Sequence, residues 1–400
     1  MPVYWIWFAN LKGISLHMKQ QLLAAFHDPE EIFLADSKAF AETVAQALEE
    51  KDLTEATVIY RECVEKNIGI LTYGDAAYPE RLRNIEDPPM VLYYKGKLPQ
   101  WQAQPVIGVV GTRKASPYGL QTAHLLASQI ATCGGLVVSG AATGVDRHSM
   151  EGALDVGKPT VGILGGGVDV VYPASNRDLY KRTEEMGCLI SEYPPGTRPY
   201  AWNFLPRNRI ISGISDGVLV VEAPEKSGAL NTARHAFSQG RDMFAVPGNL
   251  GVDTCLGSNA LLQEGAYAAL SGWDVVKHYE MLYPGAVEKR PVPLQKQCKE
   301  TLAQVAESPV RPQKNQPKRE SAAKIAIDNT EKSTYSVLNK REVTLSDQEK
   351  AIYGLVGDAP ELPDSIMDRA DLPASTVQSV LTRLTIKGVL RQHPDGRISR

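Results

Sequence analysis

The sequence predicts an α/β fold built on a doubly wound parallel sheet, and three observations predict it. Five short, uncharged apolar runs recur between Val106 and Val221, each is followed by a glycine-rich or arginine-bearing turn, and helical stretches alternate with them. Runs without polar alternation are the pattern of strands buried on both faces, as in a parallel sheet covered by helices. In such a sheet ligands bind in the crevice beyond the carboxyl ends of the strands, so the turns are expected to converge there.

The elements follow in chain order. From about Tyr4 to Tyr60 the spacing predicts small amphipathic helices: Met18 to Phe26 is apolar at helical spacing, and Asp28-Pro29 supplies a cap and a first-turn proline for another. The Leu11-Lys12-Gly13-Ile14-Ser15 turn resembles helix-hairpin-helix and SAM-like units, so residues 1–75 are expected to form a helical SAM-like domain. Prolines then bound an aromatic strand over Met90 to Gly96, expected along the edge of the main domain. The five core strands are Val106 to Val110, Gly135 to Val138, Thr160 to Leu164, Cys188 to Ser191 and Gly217 to Val221. Helices are expected over Tyr118 to Ala127, Asp146 to Leu154 and Asn231 to Phe237, which places the core at residues 76–282. Residues 283–343 turn to lysine, glutamine, proline and alanine with little to bury, and read as a flexible linker. Over 344–400, three helical stretches precede two short runs flanking Pro394-Asp395-Gly396, the order of a winged helix. Its third stretch offers Ser375, Thr376, Gln378, Ser379 and Arg383, which suits a DNA contact and a protein contact equally.

Composition bounds the function. A formal net charge of −3 over 400 residues means that a polyanionic partner has to be met by a local basic patch. Cys63, Cys133, Cys188, Cys255 and Cys298 have no paired spacing, so neither a zinc site nor a disulfide framework is indicated, and a reducing cytoplasm is the natural compartment. No apolar run reaches membrane-spanning length and Met1 to Asn10 lacks a basic flank, so no membrane insertion is expected.

The chemistry concentrates at the strand ends. Arg113, in Gly111-Thr112-Arg113, sets a fork of donors beside free amides, an arrangement suited to phosphate. Arg207 and Arg209, with Asn208 between, lie on a turn leading into an apolar helix, where one arginine is expected to face the crevice and the other a carboxylate. With Arg177 and Lys181 they can make a positive channel. Tyr172, Tyr193, Trp202 and Phe204 are stacking candidates beside it, the combination that holds single-stranded DNA without sequence preference. Gly152 to Lys158 has Walker A spacing, but Pro159 stands where a magnesium-binding hydroxyl is needed and the segment precedes its strand, which excludes a nucleotide triphosphatase. Asp146, Asp169, Glu192 and Glu222 lie near strand ends, where carboxylates can bind metal or act as acid and base, but no histidine or second carboxylate sits at ligand spacing beside them, and Asp146 and Asp169 read as groups that cap turns or hold the arginines. His124, His148 and His235 are scattered along helices. No cofactor is indicated.

In order, these motifs resemble the DNA-processing protein A (DprA/Smf) family. The resemblance rests on Gly111-Thr112-Arg113, Ser139-Gly140-Ala141-Ala142-Thr143-Gly144, Gly165-Gly166-Gly167, Tyr172-Pro173, Arg207-Asn208-Arg209-Ile210-Ile211-Ser212-Gly213, Ser227-Gly228-Ala229 and Ala245-Val246-Pro247-Gly248. It covers about Tyr78 to Val276. It implies a Rossmann-like core that dimerises and needs no cofactor, in a cytoplasmic bacterial protein without catalytic activity. Such a protein binds and protects single-stranded DNA during natural transformation and loads a RecA-type recombinase. By motif matching it implies DNA contacts at Arg113, Arg207, Asn208 and Arg209, with amides of Ser139, Gly140, Gly165 and Gly166 in the same pocket. Asn176, Arg177, Lys181, Ser227 and Gly228 complete the implied set. A competing reading is enzymatic: the core also resembles lysine-decarboxylase-like phosphoribohydrolases. Against their Pro-Gly-Gly-x-Gly-Thr-x-x-Glu loop, Ser227 to His235 keeps one glycine and the threonine and puts His235 in place of the catalytic glutamate.

Overall fold

A computed structural model describes residues 1–36, 42–48, 51–291, 347–357, 359–367, 369–370, 372, 376–377, 380–381, 384, 389–393 and 397–400. The chain divides into two units, Met1–Pro309 and Val310–Arg400.

The first unit opens with helices α1 (Pro2–Asn10), α2 (Leu16–Phe26), α3 (Pro29–Leu34), α4 (Glu42–Ala47) and α5 (Thr54–Glu65). The Ser15 hydroxyl accepts the Met18 amide at the start of α2, and the Asp28 carboxylate accepts the Glu30 amide at α3, with Pro29 in the first turn. Helix α1 is apolar all round and buries Trp5, Ile6, Trp7 and Phe8. These helices share one apolar cluster with Met90, Val91 and Tyr93, with Leu164 and Leu189 of the sheet and with Leu179 of a covering helix, so they pack directly on the α/β core.

The core continues with β1 (Gly69–Thr72), α6 (Glu80–Arg83), β2 (Val91–Gly96), β3 (Val106–Val110), α7 (Pro117–Thr132), β4 (Leu136–Ser139), α8 (Val145–Asp155) and β5 (Thr160–Leu164). Then come α9 (Arg177–Met186), β6 (Cys188–Ser191), α10 (Phe204–Ile214), β7 (Gly217–Val220), α11 (Gly228–Ser238), β8 (Asp242–Ala245), α12 (Leu256–Gln263), β9 (Tyr267–Ala268) and α13 (Gly272–Val276). One nine-stranded sheet runs β1-β2-β6-β5-β4-β3-β7-β8-β9. Strands β3 to β9 pair in parallel, whereas β2 is antiparallel to both β6 and β1. The aromatic strand expected at the edge is therefore one place inside it, because Gly69 to Thr72 covers its free side. From β3 the chain winds outward through β4, β5 and β6, then returns to place β7 on the other flank of β3. That reversal opens the crevice between the carboxyl ends of β3 and β7.

The expected linker begins later than its composition suggests. Val287 is buried in the core, the Tyr283 hydroxyl donates to Asp216, and the Glu288 amide donates to the Cys133 carbonyl. Residues 292–346, which carry most of that linker, lie outside the described residues.

In the second unit, α14 (Asp347–Leu355) and α15 (Pro363–Met367) precede β10 (Arg391–Gln392), which pairs antiparallel with β11 (Ile398–Ser399). Ile352, Val356, Ile366, Val377, Val380, Leu381, Leu384, Leu390 and Ile398 form its core. Ser375, Gln378, Ser379, Arg383 and the Pro394-Asp395-Gly396 turn lie outside the described residues.

Candidate functional site

Glu222, just past β7, fixes the loop that carries Arg113. Its carboxylate accepts the Ser116 amide at 2.8 Å and the Ser116 hydroxyl at 2.6 Å, while its carbonyl accepts the Thr112 amide at 2.7 Å. Gly144, at φ +80°, lets the start of α8 press against the same loop: a Cβ there would lie 2.4 Å from the Thr112 carbonyl oxygen. Arg113 itself is exposed, with its guanidinium 5.1 Å from the centre of the Phe204 ring and no carboxylate at ion-pair distance among the described residues.

The Arg207-Asn208-Arg209 segment lies inside α10 and not on a turn before it. At about 100° per residue, Arg207 and Arg209 diverge by roughly 200° around the helix. Arg207 points to the crevice: Nη1 donates to the Gly140 carbonyl at 2.7 Å and to the Ile163 carbonyl, and Nε donates to Asn208 Oδ1 at 3.3 Å. Its Nη2 has no hydrogen-bond partner among the described residues. Gly140 leaves room for this, because a Cβ there would sit 2.6 Å from both Arg207 Nη2 and Asp146 Oδ2. Burial pushes the Asp146 carboxyl up and the Arg207 guanidinium down, and the two charges oppose those shifts in each other. Arg209 faces the opposite way, with Nη1 and Nη2 on Glu192 at 2.9 and 2.7 Å and Nε on Asp87 Oδ2 at 2.9 Å. Burial alone lowers its pKa, but the two carboxylates raise it on balance.

Two joined recesses form the crevice. The inner one, about 70 Å³, is lined by Gly140, Thr143, Gly165, Gly166 and Tyr180, and the outer one, about 500 Å³, by Thr112, Lys114, Asp146, Arg207, Asn208, Lys226, Ser227, Gly228 and Thr232. Arg113, Ala142, Tyr172, Pro199 and Phe204 line both. The Tyr172 and Phe204 rings lie 5.6 Å apart. Beside them, Tyr200 and Trp202 stack at 4.6 Å and 7°, with Trp202 69% exposed.

The structure thus brings together Arg113, Gly140, Gly165, Gly166, Arg207, Asn208, Ser227 and Gly228. It does not bring Arg209, Ser139, Asn176, Arg177 or Lys181 to the lining. The Ser139 hydroxyl is spent inside the sheet on the Val109 carbonyl. Asn176 is buried, donating to the Ala141 carbonyl and accepting from Arg147. Arg177 and Lys181 stand exposed on α9, and Lys181 lies 3.9 Å from Glu185. Tyr193 donates to the Asn203 carbonyl. Asp169 accepts from Lys66 and from the Gly196 amide, both at 2.8 Å. Sequence reasoning missed Lys114, Lys226 and Thr232. Thr232 was legible only as the residue one helical turn beyond Gly228. Asp146 is the one carboxylate lining the crevice among the described residues, and His235 does not reach it.

Comparison with known proteins agrees with this architecture. The family model described as DNA recombination-mediator protein A matches residues 69–280, and the one described as DprA winged helix domain matches 339–396. Protein Smf of Synechocystis is 31% identical over 412 residues, covering 99% of this chain and 98% of that protein. The DNA processing protein DprA of Bacillus subtilis is 41% identical over 211 residues, covering 53% of this chain and 71% of that protein. The X-ray structure of DNA processing protein A from Streptococcus pneumoniae superposes with a TM-score of 0.59 at 30% identity, covering 69% of this chain and 96% of that one. A Rossmann-like core with its crevice at the strand reversal, a winged helix domain after it in the sequence and these matches together make the chain a member of the DNA recombination-mediator protein A (DprA/Smf) family.

Proposed function

We propose that the crevice holds single-stranded DNA without sequence preference and that the chain acts as a non-catalytic recombination mediator. The observation that carries this reading is the pairing of Arg113 and Arg207, both with donors left for a ligand, against glycine turns and the Tyr172 and Phe204 rings. Arginine forks and backbone amides suit phosphate oxygens, and aromatic faces accept any base. Glycosidic hydrolysis would need an acid or base in the crevice, and Asp146 is already engaged with Arg207 and the Ala142 amide. Family membership supports the wider assignment: a cytoplasmic homodimer that protects incoming strands during transformation and delivers them to a RecA-type recombinase.

The test is fluorescence anisotropy of labelled oligo-dT and of a matched duplex at two salt concentrations, with wild type and Arg113→Ala. The expected result is a salt-sensitive preference for the single strand that the variant loses. Salt-insensitive binding, or equal binding by the variant, overturns the assignment of DNA to the crevice.

A further inference from the structure

The outer recess is also lined by the start of a helix. Helix α11 starts there, 11 residues long, with the Ser227 hydroxyl accepting the Ala229 amide at 3.2 Å and the Ser227 carbonyl accepting the Leu230 amide at 3.2 Å. The Gly228 amide keeps no partner among the described residues, and a Cβ built on Gly228 meets nothing within 4 Å, so a ligand has free approach to this backbone. Thr232, one turn further on, is the independent sign of a ligand. It is 2% exposed and lines the recess, and its hydroxyl makes no hydrogen bond among the described residues. Lys226, beside Ser227, stands exposed in the lining of the same recess, as does Lys114. Asn208 ties the helix start to Arg207: Nδ2 donates to the Gly228 carbonyl and to Asn231 Oδ1, both at 3.2 Å, while Oδ1 accepts from Arg207.

We infer that the amino terminus of α11 is a second phosphate subsite with the Thr232 hydroxyl as its donor, so that the crevice takes two phosphates of one polynucleotide strand. Helix dipole, free amide and hydroxyl favour a phosphate oxygen here, as the guanidinium groups do elsewhere in the crevice. The inference rests on the single-strand reading above.

Two variants test it. Thr232→Val keeps the shape of the side chain and removes its donor, and Gly228→Ala puts a methyl group into open space over the amide. Each is expected to weaken oligo-dT binding about 10- to 100-fold, the range of one hydrogen bond to a charged group, with an unchanged thermal midpoint. Lys226→Ala is expected to flatten the salt dependence by about 0.7 in the log-log slope, the value of one phosphate on a single strand. In amide NMR spectra of the full chain, Gly228 is expected to shift on adding oligo-dT. Wild-type affinity in both Thr232→Val and Gly228→Ala overturns the second subsite and leaves the single-strand reading standing. If wild type ignores oligo-dT while inorganic phosphate shifts Gly228, the helix start is a free-anion site and the polynucleotide assignment is overturned.

Discussion

At the amino ends of β3 and β7, Arg81 Nε meets Asp216 Oδ1 at 2.7 Å, Asp216 also accepts the Val106 amide, and Arg241 Nη2 donates to the Arg81 and Gly213 carbonyls. At the carboxyl ends of the same strands, among the described residues, Arg113 meets only an aromatic ring, and Arg207 keeps Nη2 free behind Gly140. At the first end Arg81 is matched by Asp216, while Arg241 is held by backbone carbonyls with its buried Nε unpartnered among the described residues, and both hold segments together. Those at the second are positioned by backbone carbonyls and by glycines, with donors to spare. The contrast between Arg81 and Arg113 teaches that a carboxylate partner ties an arginine to the fold, whereas an arginine set against a ring keeps its donors for a ligand.

The largest effect expected from breaking this contrast is on stability, at the amino ends. Asp216→Ala leaves Arg81 without its counter-charge, and urea unfolding is expected to show a loss of about 3 kcal/mol. Arg113→Ala is expected to do the reverse: oligo-dT affinity falls by about 2 kcal/mol, the range of a charged hydrogen bond, while the urea midpoint stays within error. A large loss of stability in this variant would place Arg113 with the structural arginines. Trp202→Ala, at an exposed stacked pair, is expected to cost about 1 kcal/mol of oligo-dT binding and nothing in the melting temperature.

The smallest effect sharpens the same contrast on the other side of the crevice. Lys66→Met removes the ion pair that joins α5 to Asp169, expected to cost about 0.5 kcal/mol. Burial tends to raise the Asp169 pKa, but Lys66 and the Gly196 amide hold it below the ordinary 3.8. A lowered carboxylate pKa stabilises the fold above the ordinary value, and that contribution disappears as pH falls through the lowered one. The difference between wild type and variant is therefore expected to stay constant from neutral pH to about 4 and to vanish in stronger acid, read from acid-unfolding curves.

Much of the fold was legible because burial on both faces writes itself into short apolar runs: all five core strands occur within a residue of where their composition puts them. The aromatic strand over Val91 to Gly96 was harder, since neither its antiparallel pairing nor the cover given by Gly69 to Thr72 leaves a local mark. At the site, Arg113 and the glycine turns were legible from their place after strands. Arg207 and Arg209 were not separable as long as they were read on a turn, because helical geometry alone sends them to opposite sides. Asn176, Arg177 and Lys181 follow a strand-end turn in sequence, yet Arg177 and Lys181 belong to a helix that carries them outward, and Asn176, the cap residue before it, is buried donating to the Ala141 carbonyl.

The clasp between Glu222 and Ser116 has a thermodynamic consequence. Three hydrogen bonds from residues 112–116 to Glu222 set the Arg113 loop in place when the domain folds. The conformational entropy of that loop is thus lost once, during folding, and a strand entering the crevice does not have to offset it again. If the crevice takes a strand as proposed, capture on a surface prepared in this way is expected to be limited by encounter instead of by rearrangement, with the rate of association carrying most of the salt dependence.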